Sequence, residues 1–304
     1  MLVIGSRGSQ LALWQSRWVA GRLLDLGFAT RIEIIHTTGD KITDVPLAKV
    51  GTKGLFTKEI EEALLADTVD LAVHSLKDMP TALPDGLTLA AIPEREDPRD
   101  AVIGGMLREL KQGAKVGTSS LRRAAQLSRH RPDLVIESVR GNVDTRLRKL
   151  AEGQYDVIVL AAAGLRRLGL ERHIAELLSP DFMVPAVGQG ALAIETRAAG
   201  AGFDACQKLD HAPTRARVTA ERAVLAELGG GCQVPLGAHA TVQGGLLHIL
   251  ARVISPSGGL TITQTIEGPV EDAAELGQRL GRQLLAAGAA EIMNEVYGPT
   301  AERA

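Results

Sequence analysis

Short apolar runs alternate with amphipathic stretches through the first two-thirds of the chain, the pattern of an α/β protein. The runs at 2–4, 32–35, 71–73 and 89–92 predict strands. Between them Leu11, Trp14 and Trp18 fall on one helical face, as do Ile60 and Leu64. The charged run EREDPRD at 94–100 contains Pro98 and predicts a crossover out of a first domain. Further strands are predicted at 102–103, 115–117, 134–137 and 157–160, with helices between them. Pro185 introduces an apolar run at 191–194, predicted as a strand that returns to the first domain. Two lobes joined in this way leave a cleft, a favoured place for a ligand.

Beyond Pro213 the pattern changes. A helical stretch at 215–228 ends at Gly229, Gly230 and Gly231, a run that no helix survives. Leu247, Ile249, Ala251 and Val253 alternate, as do Leu260, Ile262 and Ile266, which predicts an antiparallel sheet with one solvated face. Pro269 predicts the opening of a helix with Ala273, Leu276, Leu280 and Leu284 on one face. The expected fold class is α/β: two α/β lobes around a cleft plus a smaller C-terminal α+β domain with an antiparallel sheet. The expected domains are 1–93 with 190–208, then 98–185, then 212–304.

A chain of 304 residues exceeds one typical domain, and 45% hydrophobic content supplies sizeable cores. No apolar run approaches the ~18 residues of a membrane span, and residues 1–9 lack the apolar core of a signal peptide. A cytoplasmic protein with neither membrane nor nucleic-acid partner is expected. Cys206 and Cys232 are too few for a disulfide framework, and the seven scattered histidines have no metal-ligand spacing, so no metal site is expected.

The net charge of −2 hides an asymmetry, because residues 115–172 hold 12 Lys and Arg, ten of them Arg, against 6 Asp and Glu. Arginine's planar fork pairs bidentately with carboxylate or phosphate, so this stretch points to an anionic ligand. The plainer alternative is a set of solvated helix faces.

Several segments sharpen that pointer. GTSSLRR at 117–123 runs from a strand into a helix, where free N–H groups, hydroxyls and the helix dipole meet Arg122 and Arg123. Simple capping by Thr118 or Ser119 is the competing explanation. RGNVDTR at 140–146 repeats the arrangement. HSLKDMP at 74–80 ends a strand, where α/β proteins place their sites, although an Asp before a Pro-bearing turn is also the pattern of a plain turn or cap residue. His74 and Ser75 point to opposite faces and no G-x-S-x-G elbow is present, which disfavours a hydrolase. The GQGALA run at 188–193 fits a loose dinucleotide fingerprint but precedes a strand, so nucleotide binding is disfavoured. Cys232 follows three glycines, a loop of minimal bulk on which a thiolate can reach a ligand. Cys206 is predicted to be a small buried hydrophobe.

Together these segments resemble the porphobilinogen deaminase family nearly end to end. The resemblance rests on Ser6 and Arg7 with LALWQ at 11–15, LAKVGTKGLF at 47–56, HSLKDMP, EREDPRD, GTSSLRR, RGNVDTR, PAVGQG at 185–190 and GGCQVP at 230–235. Variation falls at positions such as Thr38 and Thr52. The resemblance implies two lobes like type II periplasmic binding proteins and a third domain bearing a cysteine. It implies condensation of four porphobilinogen molecules into hydroxymethylbilane, with loss of four ammonia, on a dipyrromethane cofactor held by Cys232. Cofactor contacts would be Lys53, Ser75, Lys77, Asp78, Thr118, Ser120, Arg122, Arg123, Gly141 and Arg146. Substrate contacts would be Arg7, Ser9, Arg140, Arg167 and Gln189. Asp78 would be the catalytic carboxylate, the segment 44–56 would belong to a flap, with Asp40 either part of it or a structural turn acid, and a monomer would be the assembly. The alternative is a non-enzymatic two-lobed protein that captures a polycarboxylate, which leaves Cys232 without a role.

Overall fold

The computed structural model describes residues 1–38, 57–229 and 235–297. Lys53, Asp40, the segment 44–56 and Cys232 lie outside the described residues. In chain order the elements are β1 (Leu2–Ser6), α1 (Gln10–Asp25), β2 (Thr30–Ile34), α2 (Lys58–Leu65), β3 (Leu71–Ser75), β4 (Leu87–Ala91), β5 (Asp100–Ile103) and β6 (Lys115–Gly117). Then come α3 (Leu121–His130), β7 (Val135–Glu137), α4 (Val143–Ala151), β8 (Val157–Ala161), α5 (Ala162–Arg167), β9 (Ile174–Leu177), β10 (Leu192–Arg197) and α6 (Ala201–Cys206). The last are α7 (Ala212–Glu227), β11 (Leu236–Gln243), β12 (Leu246–Ile254), β13 (Thr261–Pro269), α8 (Ala273–Leu284) and α9 (Ala290–Tyr297).

The chain forms two compact units, Met1–Glu96 with Gly190–Arg215, and Asp97–Gln189 with Ala216–Ala304. The first contains a five-stranded sheet of order β2-β1-β3-β10-β4, in which β1, β2 and β3 are parallel and β10 runs against its neighbours. The returning strand predicted at 191–194 is β10. The second unit contains a sheet of order β7-β6-β8-β5-β9 with the same design, β5 being the reversed strand. It also contains the antiparallel sheet β11-β12-β13. The expected architecture of two α/β lobes and a small antiparallel domain is therefore present.

Continuous apolar runs form the inner strands because both sheet faces are covered. In β8, Val157 and Val159 enter one core while Ile158 and Leu160 enter the other. In β12, by contrast, Leu247, Ile249, Ala251 and Val253 face the single core shared with Leu276, Leu280 and Leu284 of α8. That alternation is the one read from the sequence.

Three local expectations change. On α1 the buried stripe is Ala12, Gln15, Ser16, Val19 and Leu23, and Trp14 and Trp18 flank it half-buried. Ser16 lies in the stripe because its hydroxyl donates to Ser6 Oγ at 2.8 Å, at the end of β1. Leu260 precedes β13 and is exposed, while Ile262 is buried. Pro269 ends β13 instead of opening a helix; a short 3-10 turn, Val270–Asp272, intervenes before α8. β9 and β11 carry no clear sequence signal, and β11 (LGAHATVQ) buries its core face with the small side chains of Ala238 and Ala240.

Candidate functional site

Parallel strands gather their C-terminal ends along one sheet edge, and in each unit most of the described candidate residues lie at or just after that edge. In the first unit Arg7 follows β1, and Ser75, Lys77 and Asp78 end or follow β3. Ser9 caps α1, its hydroxyl accepting from the Ala12 N–H at 3.2 Å. Gln15 donates from Nε2 to Ser75 Oγ at 2.9 Å, fixing that hydroxyl beside the short turn Leu76–Asp78. Lys77 is half-buried on this turn and Asp78 is exposed.

His74 points the other way. Its Nε2 lies 3.1 Å from Glu195 Oε2, diagonally across the β3–β10 ladder, and both side chains are buried. The opposed directions of His74 and Ser75 remove the hydrolase pairing. Glu61 from α2 joins this buried group electrostatically: burial, then the Glu195 charge, push its carboxyl above the usual range against the opposing influence of Thr57 and His74. A raised carboxyl favours the protonated folded state, so its contribution is full at low pH and is lost as pH rises past the ordinary carboxylate range. Glu61→Gln is therefore expected to raise Tm at pH 7–8 by about 1–3 °C, on the order of 1 kcal/mol, and to bring no such gain near pH 4. Fluorimetric melts across that range check it; a gap independent of pH would mean that charge is not the cause.

In the second unit the turns after β6 and β7 are stitched together. Thr118 N–H donates to the Glu137 carbonyl at 2.8 Å, and the Ser119 and Ser138 hydroxyls are 2.9 Å apart. The α3 cap is Ser120, not Thr118 or Ser119, and its hydroxyl accepts from the Arg123 N–H. At the second turn Gly141 has φ 106°, and a Cβ there would lie 2.6 Å from Thr145 Cγ2, so only glycine fits. Arg146 then donates from Nε to the Gly141 carbonyl at 2.8 Å. Arg140 is half-buried beside that turn, and Arg167, at the end of α5, is buried.

Arg122 and Arg123 do not stand open to solvent. They are 4% and 6% exposed, and both reach Asp100, which is fully buried at the start of β5. Arg122 Nη1 donates to Asp100 Oδ2 at 2.6 Å and to the Val184 carbonyl at 2.8 Å. Arg123 Nε donates to Asp100 Oδ1 at 2.9 Å, and its Nη1 to the Val159 carbonyl at 3.0 Å. Gln189, fully buried, donates from Nε2 to Asp100 Oδ1 at 2.8 Å and to the Pro98 carbonyl at 2.7 Å. Burial alone would raise the Asp100 carboxyl, but the two guanidiniums outweigh it and hold it well below the usual carboxylate range. Removing one member of such a buried pair typically costs about 3–5 kcal/mol.

Asp100 is the residue that sequence reading misses, because in the chain it is simply the end of a charged crossover. The available signal is an acid at the head of an otherwise apolar strand, DAVI, in a lobe rich in arginine. The rest of that run is also organised: Asp97 pairs with Arg99 and Arg166 at 2.7 and 3.2 Å. Cys206 is buried and its thiol is pushed up to about 12, by burial first and Asp70 second. Among the described residues no group of three or more His, Cys, Asp or Glu could hold a metal ion.

A family model described as porphobilinogen deaminase, dipyromethane cofactor binding domain, matches residues 2–204, and one described as its C-terminal domain matches residues 215–286. A porphobilinogen deaminase of Trichlorobacter lovleyi is 52% identical, over 97% of this chain and 96% of that protein. One from Nitratidesulfovibrio vulgaris is 53% identical over 97% and 96%, and one from Geobacter metallireducens 51% over 97% and 95%. Among solved structures, a nutrient-binding protein from Burkholderia cenocepacia bound to methionine aligns at 13% identity and TM-score 0.42, covering 68% of this chain and 90% of that one. So slight a likeness carries no argument, and the strand orders above stand without it.

Proposed function

The chain belongs to the porphobilinogen deaminase family, and from that premise we propose which of its residues hold the dipyrromethane, bind substrate and act in catalysis. The activity itself is that of a hydroxymethylbilane synthase, a transferase that joins porphobilinogen units head to tail for tetrapyrrole biosynthesis. A purely binding protein is not favoured, because the family match extends through the C-terminal stretch that contains Cys232.

When bound, the dipyrromethane supplies the pyrrole end on which the chain is built. In this reading Cys232 holds it as a thioether, and Lys53, Ser75, Lys77, Asp78, Thr118, Ser120, Arg122, Arg123, Gly141 and Arg146 surround it. Arg7, Ser9, Arg140, Arg167 and Gln189 handle incoming substrate. Each pyrrole bears an acetate and a propionate, so the site must supply cations in excess. The observation that carries the assignment is the buried cluster of two guanidiniums on the single carboxylate of Asp100, which leaves one positive charge over. Asp78, exposed at the strand end, serves the opposite charge, since a carboxylate beside the ring stabilises the positive charge that develops as the protonated amine leaves.

Leucine at four of the arginines tests this. Arg140→Leu and Arg167→Leu are expected to raise KM for porphobilinogen with the fold intact. Arg122→Leu and Arg123→Leu are expected to lose cofactor loading and also to melt earlier, because each leaves Asp100 short of a partner. A lost charged contact is worth about 2–5 kcal/mol. Normal loading and KM in all four would return these arginines to a structural role. The same reading makes the protein a cytoplasmic monomer without nucleic-acid or membrane partners. Among the described residues no helix is long and apolar enough to cross a membrane.

A further inference from the structure

Asp100 stands in a cluster whose charges do not balance. Two guanidiniums and one carboxylate, with Gln189, are all at most 6% exposed. A buried ion pair that serves stability alone is best satisfied at parity, since an uncompensated interior charge is costly. Here one positive charge is left over, and Arg122 Nε is buried without a hydrogen-bond acceptor. The carboxylate, meanwhile, accepts four hydrogen bonds: Oδ1 from Arg123 Nε, Gln189 Nε2 and Arg122 Nη2, and Oδ2 from Arg122 Nη1. Successive side chains on a helix diverge by about 100°, yet both forks are drawn onto this one group. Gln189 Oε1 faces back toward Nη2 of Arg122 and of Arg123, each at 3.5 Å, closing the frame.

We propose that Asp100 is a positioning residue for cofactor capture: it locks Arg122 and Arg123 side by side and leaves the pair with one positive charge, which a carboxylate of the dipyrromethane balances. The proposal rests on the reading that these arginines face the cofactor. Asp100 does not touch the cofactor; it removes the cost of arranging two like-charged, flexible side chains at the moment of binding.

The test is intact-mass spectrometry of the purified proteins, which reads the fraction of chains carrying the dipyrromethane adduct, with Tm and far-UV circular dichroism to count folded molecules. Asp100→Asn keeps the shape and removes the charge; fewer than about a tenth of its folded chains should carry the adduct. Asp100→Glu keeps the charge but moves it by a methylene, so its adduct fraction should lie between, at least about threefold below the parent, with Tm largely restored. A merely structural Asp100 would lower Tm and leave loading per folded molecule unchanged, and full loading of folded Asp100→Asn overturns the proposal. Should Asp100→Asn yield no folded protein, full loading of Asp100→Glu overturns it instead. Arg122→Leu and Arg123→Leu, run alongside, separate the two levels. If they load fully, the cofactor reading itself is wrong; if they fail while Asp100→Asn loads fully, only the role of Asp100 is wrong.

Discussion

Cys232→Ala is expected to give a folded protein with no dipyrromethane adduct and no measurable turnover, a loss of at least ~1,000-fold on the scale of removing a covalent nucleophile. The parent should show the added mass of two deaminated pyrrole units on the peptide that contains Cys232. Part of the case for this thiol is exclusion. Cys206 is buried in the first unit's core against Ala205, Leu71 and their neighbours, and its thiol is pushed up to about 12. At neutral pH it holds almost no thiolate and cannot be the attacking group. Cys232 follows Gly229, which ends α7 with φ 82°, and two further glycines. Cys206→Ala should accordingly keep both the adduct and the activity, at the cost of a small cavity. An adduct found on Cys206, or an active enzyme with no adduct, would move the cofactor elsewhere.

Asp78→Asn should lower kcat by at least ~100-fold, the lower end for acid–base catalysis, with little change in KM. In the proposed reading arginines supply the partners for the carboxylates of porphobilinogen, so an acid near the ring serves a cationic species. That species develops as the protonated amine departs, and an interaction that strengthens toward the transition state appears in kcat and not in uniform binding. The setting suits such a role. Asp78 closes a one-turn helix after β3, exposed, while Leu76 and Met79 on either side are buried and hold the turn in place. Asp78→Glu keeps the charge and should retain more activity than Asp78→Asn. Both variants should be supplied with preassembled cofactor, because a catalytic defect would also block its self-assembly. Normal turnover of loaded Asp78→Asn, or a rise confined to KM, would transfer the catalytic role to another residue.

Asp78 and Cys232 stand out from ordered motifs; Asp78 ends the turn after β3, and Cys232 lies outside the described residues. Arg122 and Arg123 look in the sequence like free anion hooks, and the fold changes what their loss should do. Because both are bound to Asp100, replacing either predicts a stability loss as well as a binding defect.

Most strands and helices are legible because their signals are local. The apolar run of β8, the period-2 alternation of β12 and the stripe of α8 record which neighbours two, three or four residues away share a core. The ordered motifs likewise carry the family, since their residues stand in the sequence whatever the fold does. Tertiary structure alone decides the partners of the charged groups. Asp100 meets Arg122 and Gln189 across separations of 22 and 89 residues, and His74 meets Glu195 across 121. Those distances close only when β5 is inserted, reversed, beside β8, and β10 beside β3. An acid read alone looks like a solvated turn residue. It becomes the anion of a buried cluster because sheet topology withdraws it from water into an interior where an unpaired charge is costly.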